Sequence, residues 1–443
     1  MSLYSSASIK EVQLPLCPAL CVIISGGLQI SLSLGWSTGE NVPITLQYRL
    51  CWFVAYAVGA FLVAPLMSIV QKRWLMMLCC TLALASGLIF VIVPNNYVAI
   101  LVARYLNGFA NGFATVPYLV HAAEVCTLSR GVALAIEQYC ISMGIIITLA
   151  FSYSIQTLAE GIGNLIVGIF TIVTAAVGLG ILYFVYESPI YHLRKNDETQ
   201  ALQSLLRFYR PSIMSEKART QMIEIKEYVK ANTENSGCEN FSGSLFALIK
   251  VLLYRCMVAF SFSLPLNEAF LVSSVLSVGS YVWPVIVFSG LRLLAAIVGV
   301  TLINKFVSKI IFIPSLLIMG ALTIGIGIAF NKLEFTVVLV LSLLTQCFAG
   351  IFVPSTSACL GEAFSMILKP YFIAFSIAIE QVVHIIVICT FVFSRYAIFI
   401  YSIATGAIMV GLSFIFWITL PNLKKNTLLE AENRYSKIIN IKN

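Results

Sequence analysis

A ladder of hydrophobic segments, each long enough to cross a bilayer, limits what this chain can fold into more than any single motif. Twelve can be traced, at about 15–37, 47–70, 74–94, 97–122, 132–155, 163–186, 251–276, 281–304, 310–330, 335–360, 371–393 and 396–420. A bilayer core takes about 20 mostly apolar residues per helix. Lipid also requires each backbone polar group to be satisfied within its own segment, which selects helices. Of the 443 residues 60% are hydrophobic and 10% charged, where a soluble domain has about 25% charged. The expected fold is therefore an all-α membrane protein with twelve transmembrane helices. The first apolar stretch runs on without a small-residue cleavage site, so it is expected to be a span and not a cleaved leader.

Charge placement sets the expected orientation. Alternate connections carry Lys72 and Arg73, Arg130, Arg194 and Lys195, Lys305 and Lys309, Lys369, and Lys424 and Lys425. The other connections hold Arg49, Lys332 and Arg395, partly balanced by Glu40, Glu160 and Glu334. A Lys/Arg bias in short loops marks the cytoplasmic side, which puts both termini and the central loop inside, with the plasma membrane as the default location. The net charge of +8 reflects this bias. The basic residues are not clustered, so no nucleic-acid partner is expected. Most of the twelve cysteines fall inside spans and no CxxC pair occurs, so packing is expected of them rather than metal binding or disulfides. No nucleophile–base set, phosphate-cradling loop or metal-ligand set is present. Neither catalytic residues nor a cofactor are expected, and the chain reads as a non-enzyme. The partners implied are the lipid bilayer and a small neutral solute.

A polar stretch divides six spans from six. The expected organisation is an N-terminal six-helix bundle over 1–186, a cytoplasmic helical linker over 187–250, a C-terminal six-helix bundle over 251–420 and a cytoplasmic tail over 421–443. In the linker, Asp197 is an N-cap with Gln200 three residues on, and Ala201, Leu202, Leu205 and Leu206 follow at helical spacing up to Pro211. A second helix from about Ser215 carries Met222, Ile225, Tyr228 and Val229 on one face, and 231–240 reads as a flexible connection. Solvated spacers are the alternative. The halves look like copies. At the end of the fourth span Pro117 precedes Glu124, and Arg130-Gly131 follows; at the end of the tenth Pro354 precedes Glu362, and Lys369-Pro370 follows. Two parallel six-helix repeats with a site between them are the architecture of major facilitator transporters. Gly108 and Gly112 form a G-x-x-x-G face that lets two helix backbones approach.

On these residues the chain resembles the sugar porters of the major facilitator superfamily, and within them the insect facilitated trehalose-transporter-like branch. Arg104-Tyr-Leu-Asn-Gly108-Phe-Ala-Asn-Gly112 with Pro117-Tyr118, Glu124 and Arg130-Gly131 is similar to the family's R-x-x-x-G-x-x-x-G…P-x-Y…E…R-G. Tyr186-Glu187-Ser188-Pro189 is similar to its P-E-S-P, and Pro421 to Glu430 to its P-E-T-K-G-x-x-L-E-E tail. The resemblance implies that Gln138, eight residues on from Arg130, contacts sugar. A buried amide is both donor and acceptor, as a polyol requires. It also implies substrate contacts at Phe262 and Asn267 in the seventh span and at Ser357 in the tenth. Here the family's F-Q-Q-L-S-G-I-N has become Phe260-Ser-Phe-Ser-Leu-Pro-Leu-Asn267, and Ser357 stands where the family has a stacking tryptophan. Arg104, Glu124, Arg130, Glu187, Glu362 and Lys369 are the expected gating and structural residues. The D-R-x-G-R-R acids after the second and eighth spans are missing, which predicts a weakened latch.

Proton-driven relatives carry an acid in the first span, and the position holds Ser37 here, so facilitative transport is expected. Against this stand Glu137, Glu268, Arg292, Glu380 and His384, ionisable residues at membrane depth. Glu380 and His384 lie four apart on one helical face and form the candidate proton-linked pair, with internal pairing as structural glue the plainer reading. Arg292 is placed to reach Glu268. Trp36, Tyr281 and Trp283 are expected in the interfacial aromatic belt, and His121 and His192 in packing roles. The altered sugar-site positions leave one other reading open, a non-transporting sensor or a paralogue with a less hydroxylated substrate.

Overall fold

The computed structural model describes residues 10–11, 16–36, 42–126, 129–154, 162–210, 214–234, 237–280, 282–303, 308–421 and 427–440. Six long helices come first: α1 (Cys17–Ser33), α2 (Leu46–Ile69), α3 (Lys72–Ile92), α4 (Tyr97–Val125), α5 (Arg130–Ser154) and α6 (Ile162–Ile181). Three helices of the linker follow, α7 (Pro189–Arg194), α8 (Glu198–Arg207) and α9 (Glu216–Glu234). The second set comprises α10 (Gly237–Ser261), α11 (Leu264–Val278), α12 (Val282–Ile303), α13 (Ser308–Asn331), α14 (Phe335–Glu362), α15 (Lys369–Thr390) and α16 (Arg395–Thr419), and a short α17 (Leu428–Ser436) ends the fold. With α10 and α11 counted as one broken pass, twelve passes run through the described residues. Ten of them are long and apolar enough to cross a membrane by length and composition. The other two are α1, with 17 residues, and α4, whose 29 residues include Arg104, Asn107, Asn111, His121 and Glu124. A two-residue antiparallel pairing joins β1 (Lys10–Glu11) to β2 (Tyr209–Arg210), tying the start of the chain to the linker.

Polar side chains at the loop ends start the helices. Thr45 accepts from Tyr48 N at 3.1 Å, Asn96 from Ala99 N at 3.1 Å and Ser394 from Ala397 N at 3.0 Å. Each satisfies one of the donors that a helix start leaves free. Asp197 caps α8 through Gln200 N at 2.9 Å, as its spacing predicts. The seventh pass differs from expectation. Its helix begins at Gly237, within the stretch read as flexible and well before residue 251, and breaks after Ser261. Pro265, in the first turn of α11, has no N–H to continue a ladder, so a new helix starts there.

The linker helices are packed, not solvated spacers. Ile190, Ala201, Leu205, Ala218, Met222, Ile225 and Tyr228 form one buried cluster with Met366 and Leu428. Asn232 of α9 clasps the neighbouring segments, accepting from Met366 N at 3.0 Å and donating to Glu432 Oε2 at 3.5 Å. The end of the bundle that carries α7–α9 and α17 is called the linker face below.

Glycines set the closest helix approaches. A Cβ on Gly108 of α4 would sit 2.4 Å from the Trp52 carbonyl oxygen of α2, and one on Gly112 2.4 Å from that of Tyr56. In the second set Gly350 of α14 faces the Arg292 carbonyl of α12 at the same 2.4 Å. Leucine at 108 would have to force α2 and α4 apart, an overpacking cost of about 1–3 kcal/mol. Thermal unfolding in detergent should show Gly108→Leu melting several degrees below the parent. Gly411→Ala, with nothing within 4 Å of its Cβ, should leave the midpoint in place.

Candidate functional site

Buried polar residues lie at three levels along the bundle. At the linker face, Lys72, the first residue of α3, sits between two acids. Its Nζ is 2.9 Å from Glu124 Oε2 of α4 and 3.2 Å from Glu187 Oε1, and its backbone N donates to Glu187 Oε2 at 2.9 Å. The weakened latch expected from the missing acids is therefore not found in the first half. A lysine at the start of α3 supplies the base, and Glu124 and Glu187 supply the acids. Arg130 donates from Nε to Ala123 O at 3.1 Å across the turn between α4 and α5. Glu362, buried at the end of α14, has Arg130 and Lys369 as its nearby cations, and the Lys369 ammonium lies 5.7 Å from the centre of the Tyr228 ring.

The middle level is an ion cluster that joins the two helix sets. Arg255 of α10 presents Nη2 to Glu137 Oε1 of α5 at 3.0 Å and Nη1 to Glu137 Oε2 at 3.2 Å. Its Nε donates to Glu380 Oε2 of α15 at 2.6 Å, and Nη1 also reaches Ser357 Oγ at 2.7 Å and Thr356 Oγ1 at 3.3 Å on α14. Gln138 Nε2 donates to both Glu137 oxygens, at 3.1 and 2.9 Å, and Ser357 Oγ donates to Glu137 Oε2. Arg255 and Glu137 are at most 1% exposed. Glu137 lies seven residues into α5, about 10 Å along its axis, and Glu380 eleven residues into α15, about 16 Å.

At the far end an aromatic cluster closes the gap between the sets. The Trp36 ring, just past α1, stacks on Phe262 at 6.4 Å with a 10° interplanar angle, and Phe270 and Phe288 lie 6.2 and 5.8 Å away. Asn267 Nδ2 donates to Leu34 O at 3.0 Å across the same seam. Trp36 is completely buried, which corrects its assignment to the interfacial belt, whereas Trp283 is 48% exposed. Tyr281 and Ser37 lie outside the described residues. Of the four residues expected to contact solute, Gln138 and Ser357 thus meet at the middle level, and Phe262 and Asn267 belong to the far-side closure.

The remaining charges find other partners than the sequence suggests. Arg104 is held by neutral groups, Gln29 Oε1 at 3.0 Å, Ser33 Oγ at 2.6 Å and Cys51 Sγ at 3.4 Å, and so ties α4 to α1 and α2. Arg292 donates to Gln346 Oε1 at 2.9 Å and Ser261 Oγ at 3.2 Å, bracing the break in the seventh pass. It does not reach Glu268, which instead faces Arg49 at 3.9 Å. Glu380 and His384 share a helical face but diverge, since Glu380 is bound to Arg255 and His384 stacks on Phe53 at 4.7 Å. His121 is buried against Phe208, a packing position. Sequence reasoning missed Arg255. It lies only four residues inside the span expected to start at 251, where a charge reads as an edge residue. Tracing the helix back to Gly237 moves it to the interior.

Comparison with known proteins follows the same pattern. The family model described as "Sugar (and other) transporter" matches residues 41–435. "Probable polyol transporter 6" of Arabidopsis thaliana is 30% identical over 127 residues, 28% of this chain, and the match spans only 26% of that relative's length. The proton:xylose symporter XylE bound to 6-bromo-6-deoxy-D-glucose superposes with a TM-score of 0.78 at 16% identity, over 96% of this chain and 98% of the other. The inward-open conformation of the xylose transporter XylE from E. coli gives a TM-score of 0.63 at 17% identity, covering 95% and 97%.

The latch carries a pH signature through Glu187. Burial alone would raise its carboxyl, but Lys72 beside it and the hydrogen bonds it accepts hold it below its ordinary 4.5. A carboxyl whose folded value is depressed adds stability that is fully present above the ordinary value and is lost as pH falls through the folded one. Thermal midpoints of the parent and Glu187→Gln should differ by a constant amount above the ordinary carboxyl range and converge as pH falls through the depressed folded value. A gap that persists at low pH would count against the ion pair.

Proposed function

The chain belongs to the sugar (and other) transporter family and is an integral, multi-pass membrane transporter, not an enzyme; from this premise we propose that it carries a small neutral sugar or polyol down its gradient by alternating access. The observation that carries the reading is the middle level. Gln138, Glu137, Arg255, Glu380 and Ser357 converge from four helices of both sets, buried midway through the bundle. Transporters of inverted or parallel repeat architecture hold their solute at such a seam near the midplane. Amide, hydroxyl, carboxylate and guanidinium groups together offer both donors and acceptors, which suits hydroxyls. The likeness in sequence to a polyol transporter and in fold to a xylose carrier supports the same class.

In this reading Gln138 and Ser357 contact solute, Phe262 and Asn267 close the far side over it, and Lys72, Glu124 and Glu187 hold the linker face shut. That face is cytoplasmic, with both termini, because the Lys/Arg excess lies on its connections. The membrane proposed is the plasma membrane, and the branch proposed is the insect facilitated trehalose-transporter-like one. Facilitation, not proton coupling, is supported by Arg104 being satisfied by Gln29 and Ser33.

Uptake of labelled glucose, trehalose, sorbitol and myo-inositol into proteoliposomes, with and without a pH gradient, tests the proposal. Saturable uptake of at least one of them, indifferent to the gradient, is expected. Gln138→Ala should reduce it roughly tenfold or more, the worth of one or two buried hydrogen bonds. Gradient-driven uptake would overturn facilitation, and folded protein that moves none of the four would overturn the solute class.

A further inference from the structure

The contacts of the ion cluster fall into two groups. Arg255, Glu380, Thr356 and Ser357 all sit on the second helix set, and Glu137 and Gln138 on the first. When the sets part, the first group moves as one body and the second as another. Only the Arg255–Glu137 and Ser357–Glu137 contacts must break. What separates is a guanidinium edge, two N–H groups side by side, from a carboxylate edge, two oxygens side by side, at 3.0 and 3.2 Å.

We propose that Arg255 and Glu137 are the two jaws of the solute site. In the empty carrier they close on each other, and a polyol enters by inserting two adjacent hydroxyls between them. This inference rests on the polyol reading above and names the chemical feature that the site selects. Whatever replaces the ion pair must accept from Nη1 and Nη2 and donate to Oε1 and Oε2 at once. A hydroxyl does both. An ammonium satisfies Glu137 but leaves the guanidinium edge unpaired, and a carboxylate satisfies Arg255 but meets Glu137 and Glu380 as like charges. Two hydroxyls on neighbouring carbons are spaced much as the two oxygens of a carboxylate are, so each edge keeps the two-point geometry that it has with its present partner. A neutral solute also leaves the charge of the buried cluster unchanged. Arg255 is thereby a specificity-determining residue, and its planar fork is the property that matters, which lysine lacks.

The test uses the full chain in proteoliposomes, with whichever of the four labelled solutes is carried as tracer and two competitors. Myo-inositol has hydroxyls on neighbouring carbons throughout its ring. Cyclohexane-1,3,5-triol has the same ring and no neighbouring pair. For the parent, myo-inositol should inhibit at a concentration roughly tenfold or more below the triol, the value of one charge-assisted hydrogen bond. Glu137→Gln removes one buried charge and keeps the shape, and Arg255→Lys keeps the charge and removes the fork. Each, shown to be folded by gel filtration and thermal unfolding, should raise the tracer's half-saturation about tenfold and erase the preference between competitors. If the pair is only a brace between the sets, Glu137→Gln instead leaves half-saturation unchanged or lowers it, and the proposal fails. Equal inhibition of the parent by both competitors overturns it too, without touching the transport reading. Absence of any carried solute removes that reading first.

Discussion

A charge held inside a bilayer has no water to turn to, so each one here must be answered by another part of the same chain. The Arg255 guanidinium makes this constraint most visible. Its three nitrogens are taken up by Glu137, Glu380, Ser357 and Thr356, which fixes the mutual rotation of α5, α10, α14 and α15. Losing one partner would leave an uncompensated buried ion, whose cost is several times that of an ordinary contact. Arg104 and Arg292 obey the same rule with neutral acceptors, each using a glutamine carbonyl and a serine hydroxyl. The arginines thus orient the helices, and the apolar surfaces fill in around them.

Glycine contacts and polar contacts divide the work between rigidity and separability. The close backbone approaches at glycines lie within a helix set, α1 on α5 at Gly27 and Gly144, α4 on α2 at Gly108 and Gly112, and α14 on α12 at Gly350. Such interfaces are close-packed and resist sliding. Between the sets α2 packs on α15, and α5 on α12 and α14. Polar and aromatic contacts are added to that packing, among them one ion pair at mid-depth, a side-chain amide on the Leu34 carbonyl, and the rings of Trp36 on Phe262 and Phe53 on His384. These added contacts can break and re-form as single side chains, which suits alternating access.

Span positions were legible because the bilayer itself imposes them; α2, α4, α12 and α14 begin within a residue of where hydropathy puts them. The residues of the middle level were only partly legible. Gln138 was singled out by its distance from Arg130, and Ser357 by standing where the family has a stacking tryptophan. Arg255 was not, because the expected span starts at residue 251, while the helix itself begins at Gly237. Lys72 entered only as one of the orienting charges, since a pattern with missing acids does not say which neighbouring base turns inward. Trp36 looked like a belt residue because its position near a helix end fits both fates. Only the facing Phe262, Phe270 and Phe288, more than two hundred residues away in sequence, decide between them.

A site lined by ions suits a neutral cargo once competition is considered. A site of neutral amides left empty would hold water and wait for solute. A site whose two faces carry opposite charge closes on itself, so an arriving polyol binds only the fraction of carriers in which the pair has opened. Its apparent affinity is lowered by that fraction. The same pairing satisfies the empty cluster during the return step, when no solute is present to do so and an unpaired Glu137 would be left buried. Weak binding and a low barrier to the unloaded return are therefore linked consequences of lining the proposed site with an ion pair. On the facilitative reading proposed above, they suit a carrier of abundant solute rather than one that scavenges a scarce one.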